Sequence, residues 1–247
     1  GFNGLYRCVA RHADVQHHMG EHSVGAVVER FGRTDAQICV TPHGGYFNLV
    51  GSKGRDEARR ELGIDPRENV ALVFGQIRSE KEYEMALEIA SAGWTLLIAG
   101  RLPRLGRFTR MKAGVKKRLA RGRIIEVLGL LDEAEVDKIV KAADIMVICR
   151  QSSLNSGNLA LGLTFGLPVI GPDIGNIGGW LRETENFVFS PEPGRLKERL
   201  TTLPSGWRDL GPRNRDWINC HGQWANIAGA VIAKIKLAKG RLARNAS

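Results

Sequence analysis

VALVFGQIRSEKEYEMALEIASAGWTLLIAG, residues 70–100, sets two short apolar runs, VALVF and WTLLIA, on either side of a stretch whose apolar residues recur at helical spacing. Runs that are apolar throughout, rather than alternating, fit strands buried on both faces, as in a parallel sheet covered by helices. The pattern continues downstream, with RIIEV at 123–127, DIMVI at 144–148 and PVI at 168–170 as further strands. Helices are predicted between them at 80–91, 109–120, 133–142 and 157–165. Strands alternating with helices in this way predict an α/β fold, a doubly wound parallel sheet.

Outward from that block the pattern changes. Residues 1–41 read as a helix end, a short strand at 14–19, a helix at 24–31 and a strand at 37–41, the tail of another α/β unit. Residues 42–54 are rich in glycine and hold Pro42, so they are expected to form a hinge between that unit and the main domain at 55–213. In residues 214–247, Trp224, Ile227, Ala228, Val231, Ile232 and Ile235 repeat at three and four, which predicts an amphipathic helix with Lys234, Lys236 and Lys239 off the stripe. Packing on the domain is its expected role, and lying on a membrane surface is the alternative.

A length of 247 residues with 43% hydrophobic content fits one large α/β domain or one domain with an appendage. No stretch approaches the ~18 to 20 apolar residues of a membrane span, and the first residues have no signal-peptide layout. The chain reads as a soluble fragment. Its four cysteines, Cys8, Cys39, Cys149 and Cys220, are scattered without CxxC spacing, so neither a disulfide framework nor a zinc site is expected, and a reducing cytoplasm is the simplest home. The net charge of +10 is concentrated: residues 101–123 hold ten Lys or Arg, and the first acid after them is Glu126. This run is expected to be a solvated helix face, with Met111, Val115 and Leu119 as a narrow apolar stripe and the cations around it. An anionic membrane surface, at the inner face of the membrane, is the competing partner. Nucleic acid is not expected, because the run has one aromatic, Phe108, and no binding motif.

Chemistry in open α/β sheets gathers in the turns after the strands. After VALVF comes Gly75-Gln76-Ile77-Arg78-Ser79-Glu80-Lys81, a glycine that lets a ligand approach the backbone and two cations near a helix start. Arg78 and Lys81 could clamp a diphosphate, and two exposed surface cations are the plainer alternative. After DIMVI, Ser153, Asn155, Ser156, Gly157 and Asn158 lead into the apolar helix LALGLTFG. Such a helix start offers free N–H groups and a positive dipole end to an anion, although capped helices are common. His12, His17, His18 and His22 are close together, but no carboxylate or thiolate array completes a metal set. His43, in the Pro-His-Gly hinge, is the better site candidate.

In order and spacing these segments resemble the C-terminal donor domain of GT-B fold glycosyltransferases, especially family 4 and its bacterial exopolysaccharide relatives. The resemblance rests on ICVTPHGGY for the interdomain segment, FGQIRSEKE for the phosphate turn and LLIAGR for the second strand. It extends to VLGLLDEAEVDKIVKAADIMVI beside the nucleotide base, and to SGNLALGLTFGLPVIGPDIGNIGGWL for the donor helix, strand and glycine loop. HGQWANIAGAVIAKI is similar to the tryptophan-led last helix that crosses back to the N-terminal domain. The resemblance implies a Rossmann-like GT-B C-terminal domain, with residues 1–41 a remnant of the acceptor domain. It also implies transfer of a sugar from a UDP- or GDP-linked donor to a glycan or lipid-linked acceptor, without cofactor or metal.

Arg78, Lys81 and His43 would then be catalytic. Gly44, Gly75, Gln76, Gly100, Arg101, Leu130, Leu131, Ser153, Asn155, Ser156, Gly157 and Asn158 would line the donor. One departure matters, because many family members carry two glutamates where this chain has Ser153 and Leu161. A leucine cannot accept hydrogen bonds from ribose hydroxyls. A non-catalytic nucleotide-sugar-binding module is therefore the second reading. Transfer is expected to need more of the partner domain than residues 1–41 supply.

Overall fold

Val70, Ala71, Leu72, Leu96, Leu97 and Ile98 are wholly buried, as strands covered on both faces must be. The computed structural model describes residues 2–32 and 37–245. Its first part runs α1 (Phe2–His12), β1 (Val15–His18), α2 (Glu21–Phe31), β2 (Gln37–Val40), a single 3-10 turn at Phe47–Leu49 and α3 (Arg55–Glu61). The main block follows as β3 (Val70–Gln76), α4 (Glu80–Ser91), β4 (Thr95–Arg101), α5 (Arg107–Leu119), β5 (Ile124–Leu128), α6 (Glu133–Ala142), β6 (Ile145–Val147), α7 (Gly157–Phe165) and β7 (Val169–Pro172). It closes with α8 (Gly175–Glu183), β8 (Phe187–Phe189), α9 (Arg195–Thr201), α10 (Leu210–His221) and α11 (Trp224–Asn245). Among the described residues no helix is long and apolar enough to cross a membrane.

The six-stranded sheet has the order β5-β4-β3-β6-β7-β8, and every pairing in it is parallel. Alternation along β3 sends Val70 and Leu72 into one core with α6 and α7, and Ala71 and Val73 into the other with α4 and α9. The expected strands and helices of this block are present to within a few residues. Helices α8, α9 and α10 and strand β8 go beyond the sequence reading, which assigned only a glycine loop after β7. Gly175, Gly178 and Gly179 lower helix propensity there. Two of them are needed for other reasons: Gly175 has φ +51, and a Cβ on Gly178 would lie 2.1 Å from Asp173 Oδ1. Ile177 and Leu181, both buried, supply the packing that overrides propensity.

β1 and β2 form a separate two-stranded parallel sheet, and this unit docks on the main block through α2 against α8 and through both strands against α11. Asn176 of α8 is the buried centre of that contact. Its Oδ1 accepts from Ser23 N (3.2 Å), and its Nδ2 donates to Ser23 Oγ (3.0 Å) and to Asn155 Oδ1 (2.8 Å). Trp180 Nε1 donates to Met19 O at 2.7 Å. At the other end Trp224 Nε1 donates to Gly45 O at 2.9 Å, and Gly45 N donates to Gly222 O at 2.9 Å, so the start of α11 is fastened to the hinge segment. The division proposed at 213/214 falls inside α10 rather than between helices. On α11, Ile227 is buried while Trp224, Ile232 and Ile235 of the sequence stripe are exposed.

Candidate functional site

The order of the sheet reverses between β3 and β6, and this is where an open α/β sheet leaves a crevice at the carboxyl ends of its strands. Gly75, next to last in β3, has φ +89, a conformation that disfavours any side chain. A Cβ on Gly100, at the matching end of β4, would stand 2.3 Å from Gly75 O, so the two strand ends close on each other only because Gly100 has no side chain. Ile77 N then donates to Arg101 O at 2.9 Å and the Ile77 side chain is buried, which pins the turn. Ser79 caps α4 by accepting from Glu82 N at 3.2 Å. The buried Glu82 carboxylate reaches back to Arg78 N at 2.8 Å and pairs with Arg150 Nη1 at 2.8 Å. Arg150 follows β6, so this ion pair spans the reversal point. The Arg78 and Lys81 side chains are exposed, and Lys81 shares a groove with Lys116, Gln151 and Glu192.

The second turn is braced from below. Ser153 Oγ donates to Asn155 O at 2.7 Å, Asn176 N donates to Leu154 O at 2.9 Å, and a Cβ on Gly175 would sit 2.6 Å from Ser153 O. Asn158 Nδ2 donates to Phe74 O at 2.7 Å, tying the first turn of α7 to the end of β3. Ser156 is the N-cap of α7 but its side chain makes no cap hydrogen bond, which leaves the first N–H groups of the helix for a ligand.

The hinge closes the site from the other side. A Cβ on Gly157 would lie 2.5 Å from Tyr46 Oη and 3.8 Å from His43 Nε2. His43 Nδ1 donates to Gly44 O at 2.7 Å, which orients the ring so that Nε2 is the nitrogen turned toward α7. The His43 ring stacks on Tyr46 at 5.4 Å and meets Trp224 edge-on at 5.8 Å. Tyr46 N donates to Thr164 Oγ1 at 3.1 Å, and burial pushes its phenol pKa up. Gly44 touches Trp224 so closely that a Cβ there would be 2.2 Å from the indole. Met19, Pro42, His43, Ser156, Asn176 and Trp180 line a cavity where the hinge, α7 and the docked N-terminal unit meet.

The structure thus brings His43, Gly44, Gly75, Asn155, Ser156, Gly157 and Asn158 around the crevice. Gly100 and Arg101 lie at its flank. Leu130, 84% exposed, and Leu131, packed on the core, follow β5 farther out. Leu161 is buried within α7. The sequence reading missed Tyr46, Glu82, Arg150 and Asn176. Only Glu82 carried a local signal, the Ser-x-x-Glu spacing from Ser79 that marks a helix start. Of the clustered histidines, His17 Nε2 bonds Thr41 Oγ1 (2.7 Å) and His18 Nε2 bonds Gln16 Oε1 (3.1 Å). Among the described residues no three His, Cys, Asp or Glu are placed to hold a metal ion.

A parallel sheet in this order, with a glycine turn and an open helix start at its reversal point, defines a Rossmann-like domain of the GT-B type. The family described as glycosyl transferases group 1 matches residues 54–219, and the chain belongs to it. No curated protein sequence matches the chain. Among solved structures, sucrose-phosphate synthase from Thermosynechococcus elongatus superposes with a TM-score of 0.68 at 20% identity, covering 98% of this chain and 61% of that one. Anabaena HepE in complex with UDP gives a TM-score of 0.74 at 15% identity, over 95% of this chain and 68% of that one. The C-terminal domain of the group 1 protein LpcC from Francisella tularensis gives 0.55 at 16% identity, over 71% of this chain and 96% of that one. The chain therefore spans 61% of the length of the synthase it resembles, and at these identities the likeness speaks for the fold.

Proposed function

We propose that this chain forms the donor-binding part of a glycosyltransferase that moves a hexosyl group from a UDP- or GDP-linked sugar to a glycan or lipid-linked acceptor. The observation that carries the reading is the start of α7: its N-cap side chain is unused, and it lies between the end of β3, through Asn158, and the hinge, through His43 and Tyr46. A diphosphate seated there would meet backbone N–H groups and the positive helix end, with the exposed Arg78 and Lys81 reaching it from the neighbouring turn. Negative charge grows on the leaving diphosphate as the glycosidic bond breaks. Cations and N–H groups already in place would stabilise that charge without a metal. His43 would turn Nε2 from the hinge side toward a hydroxyl of the donor sugar. HepE, of the same fold, is described in complex with UDP-glucose.

Charge-assisted bonds of this kind contribute roughly 1.5 to 3 kcal/mol each. The Arg78→Ala, Lys81→Ala double variant should therefore bind UDP or GDP at least tenfold more weakly by calorimetry, and an unchanged affinity would remove both side chains from the site. A second reading, a binding module without catalysis, draws on the buried Leu161 and on Ser153, which stand where many relatives have glutamates. Slow hydrolysis of the sugar nucleotide by the chain would count against it.

A further inference from the structure

Helix α5 presents to solvent what an amphipathic helix ordinarily buries. Among its described side chains only Thr109 and Ala113 are buried, while Met111, Val115 and Leu119 are 59%, 53% and 77% exposed. At 100° per residue these three share an arc of about 80°, turned about 140° from the buried pair. The narrow stripe expected from the sequence exists, but it faces away from the core. It is held that way by the helix start, where Glu80 accepts from Gly106 N at 2.6 Å and from Thr109 Oγ1 at 2.5 Å.

Cations surround the stripe. Lys117 pairs with Glu126 at 2.6 Å and Arg123 with Glu68 at 2.7 Å. Among the described residues no carboxylate lies within ion-pair distance of Arg104, Arg107, Arg110, Lys116, Arg118 or Arg121. Single exposed apolar residues need no explanation, but three in line within an acid-free basic run do.

We propose that α5 docks the protein on an anionic lipid surface, lying in the interface with Met111, Val115 and Leu119 among the upper acyl chains and the arginines and lysines at the headgroup phosphates. This is the arrangement of an interfacial helix, in which long cationic side chains reach outward while their stems cover apolar surface. Nucleic acid would use the cations but gain nothing from the aliphatic stripe. A second copy of the chain would set like charges against each other. The proposal does not depend on the transferase reading, since it concerns the outer face of α5 and not the crevice.

Co-sedimentation with vesicles tests it. The chain should bind mixed phosphatidylglycerol and phosphatidylcholine vesicles and not pure phosphatidylcholine, and added salt should release it. Each cation near an anionic surface is worth about a fivefold gain in partitioning, so R107Q/R110Q/R118Q should bind about a hundredfold more weakly. M111S/V115S/L119S should lose at least tenfold while keeping the salt dependence. Leu119→Ser alone, at the most exposed position of the stripe, replaces the triple variant if that fails to unfold cooperatively. Failure of the native chain to bind anionic vesicles at low salt would overturn the proposal. So would stripe variants that bind as tightly as the native chain, or an oligonucleotide bound more tightly than the vesicles.

Discussion

Arg59 has no exposed surface, and its guanidinium finds a partner on every side. It pairs with Asp144 Oδ2 at 2.7 Å and donates to the carbonyls of Ala142, Asp65, Pro66 and Glu68 at 2.9 to 3.2 Å. Asp144 in turn accepts from Val70 N at 2.8 Å and from Arg55 at 2.8 Å. One arginine on α3 thus fixes the segment leading into β3 and the entry to β6, the two strands that flank the crevice. Removing one member leaves an uncompensated buried charge, which costs about 3 to 5 kcal/mol. Arg59→Ala and Asp144→Asn should each lower the urea midpoint accordingly, and a loss under about 1 kcal/mol would show that water takes over the orphaned partner. At this scale the sequence reveals residues whose role is local. Gly75 and Gly157 are legible because each follows or begins an element marked by its own pattern. Arg59 with Asp144, Glu82 with Arg150 and Asn176 with Ser23 are not, because each pair is joined only by the tertiary fold.

The elements that were legible, β3 to β7 and their helices, are long or strongly apolar. Strand β8 is three residues long like β6, but its FVF stands alone between Asn186 and Ser190 whereas β6 lies within the longer run DIMVI, and β8 is placed by a buried asparagine pair instead. Asn186 Oδ1 accepts from Val169 N at 2.7 Å, while Asn186 Nδ2 donates to Asn214 Oδ1 at 2.8 Å. The α5 stripe shows a different limit: periodicity marks which residues share a face, and only the packing of neighbouring elements decides whether that face turns inward. Helix α4 can be tested as an element. Its Ser79 cap and the Glu82 carboxylate are linked, so Ser79→Ala should destabilise the protein by roughly 0.5 to 2 kcal/mol, as cap removals do. Because the same substitution frees the turn that carries Arg78, the affinity for UDP should fall as well. A melting temperature lowered with affinity untouched would separate the cap from the binding turn.

For the molecule as a whole, the reading proposed above makes the crevice the donor side of a reaction site. An acceptor must meet the donor at near-attack distance, and such proximity can account for several kcal/mol of barrier lowering. On the reading proposed above the chain should bind a sugar nucleotide, and calorimetry that finds no affinity for UDP- or GDP-sugars would refute it. The docked β1–β2 unit supplies the last feature. A sheet of two strands leaves one side of each without a neighbouring strand, and among the described residues neither is capped by a third. Open β edges template the pairing of further chain segments. The unit that sits beside the crevice therefore offers open edges for strand addition, as β5 and β8 do at the ends of the larger sheet. Pairing of such edges between copies would seed edge-to-edge aggregation when the protein is concentrated alone.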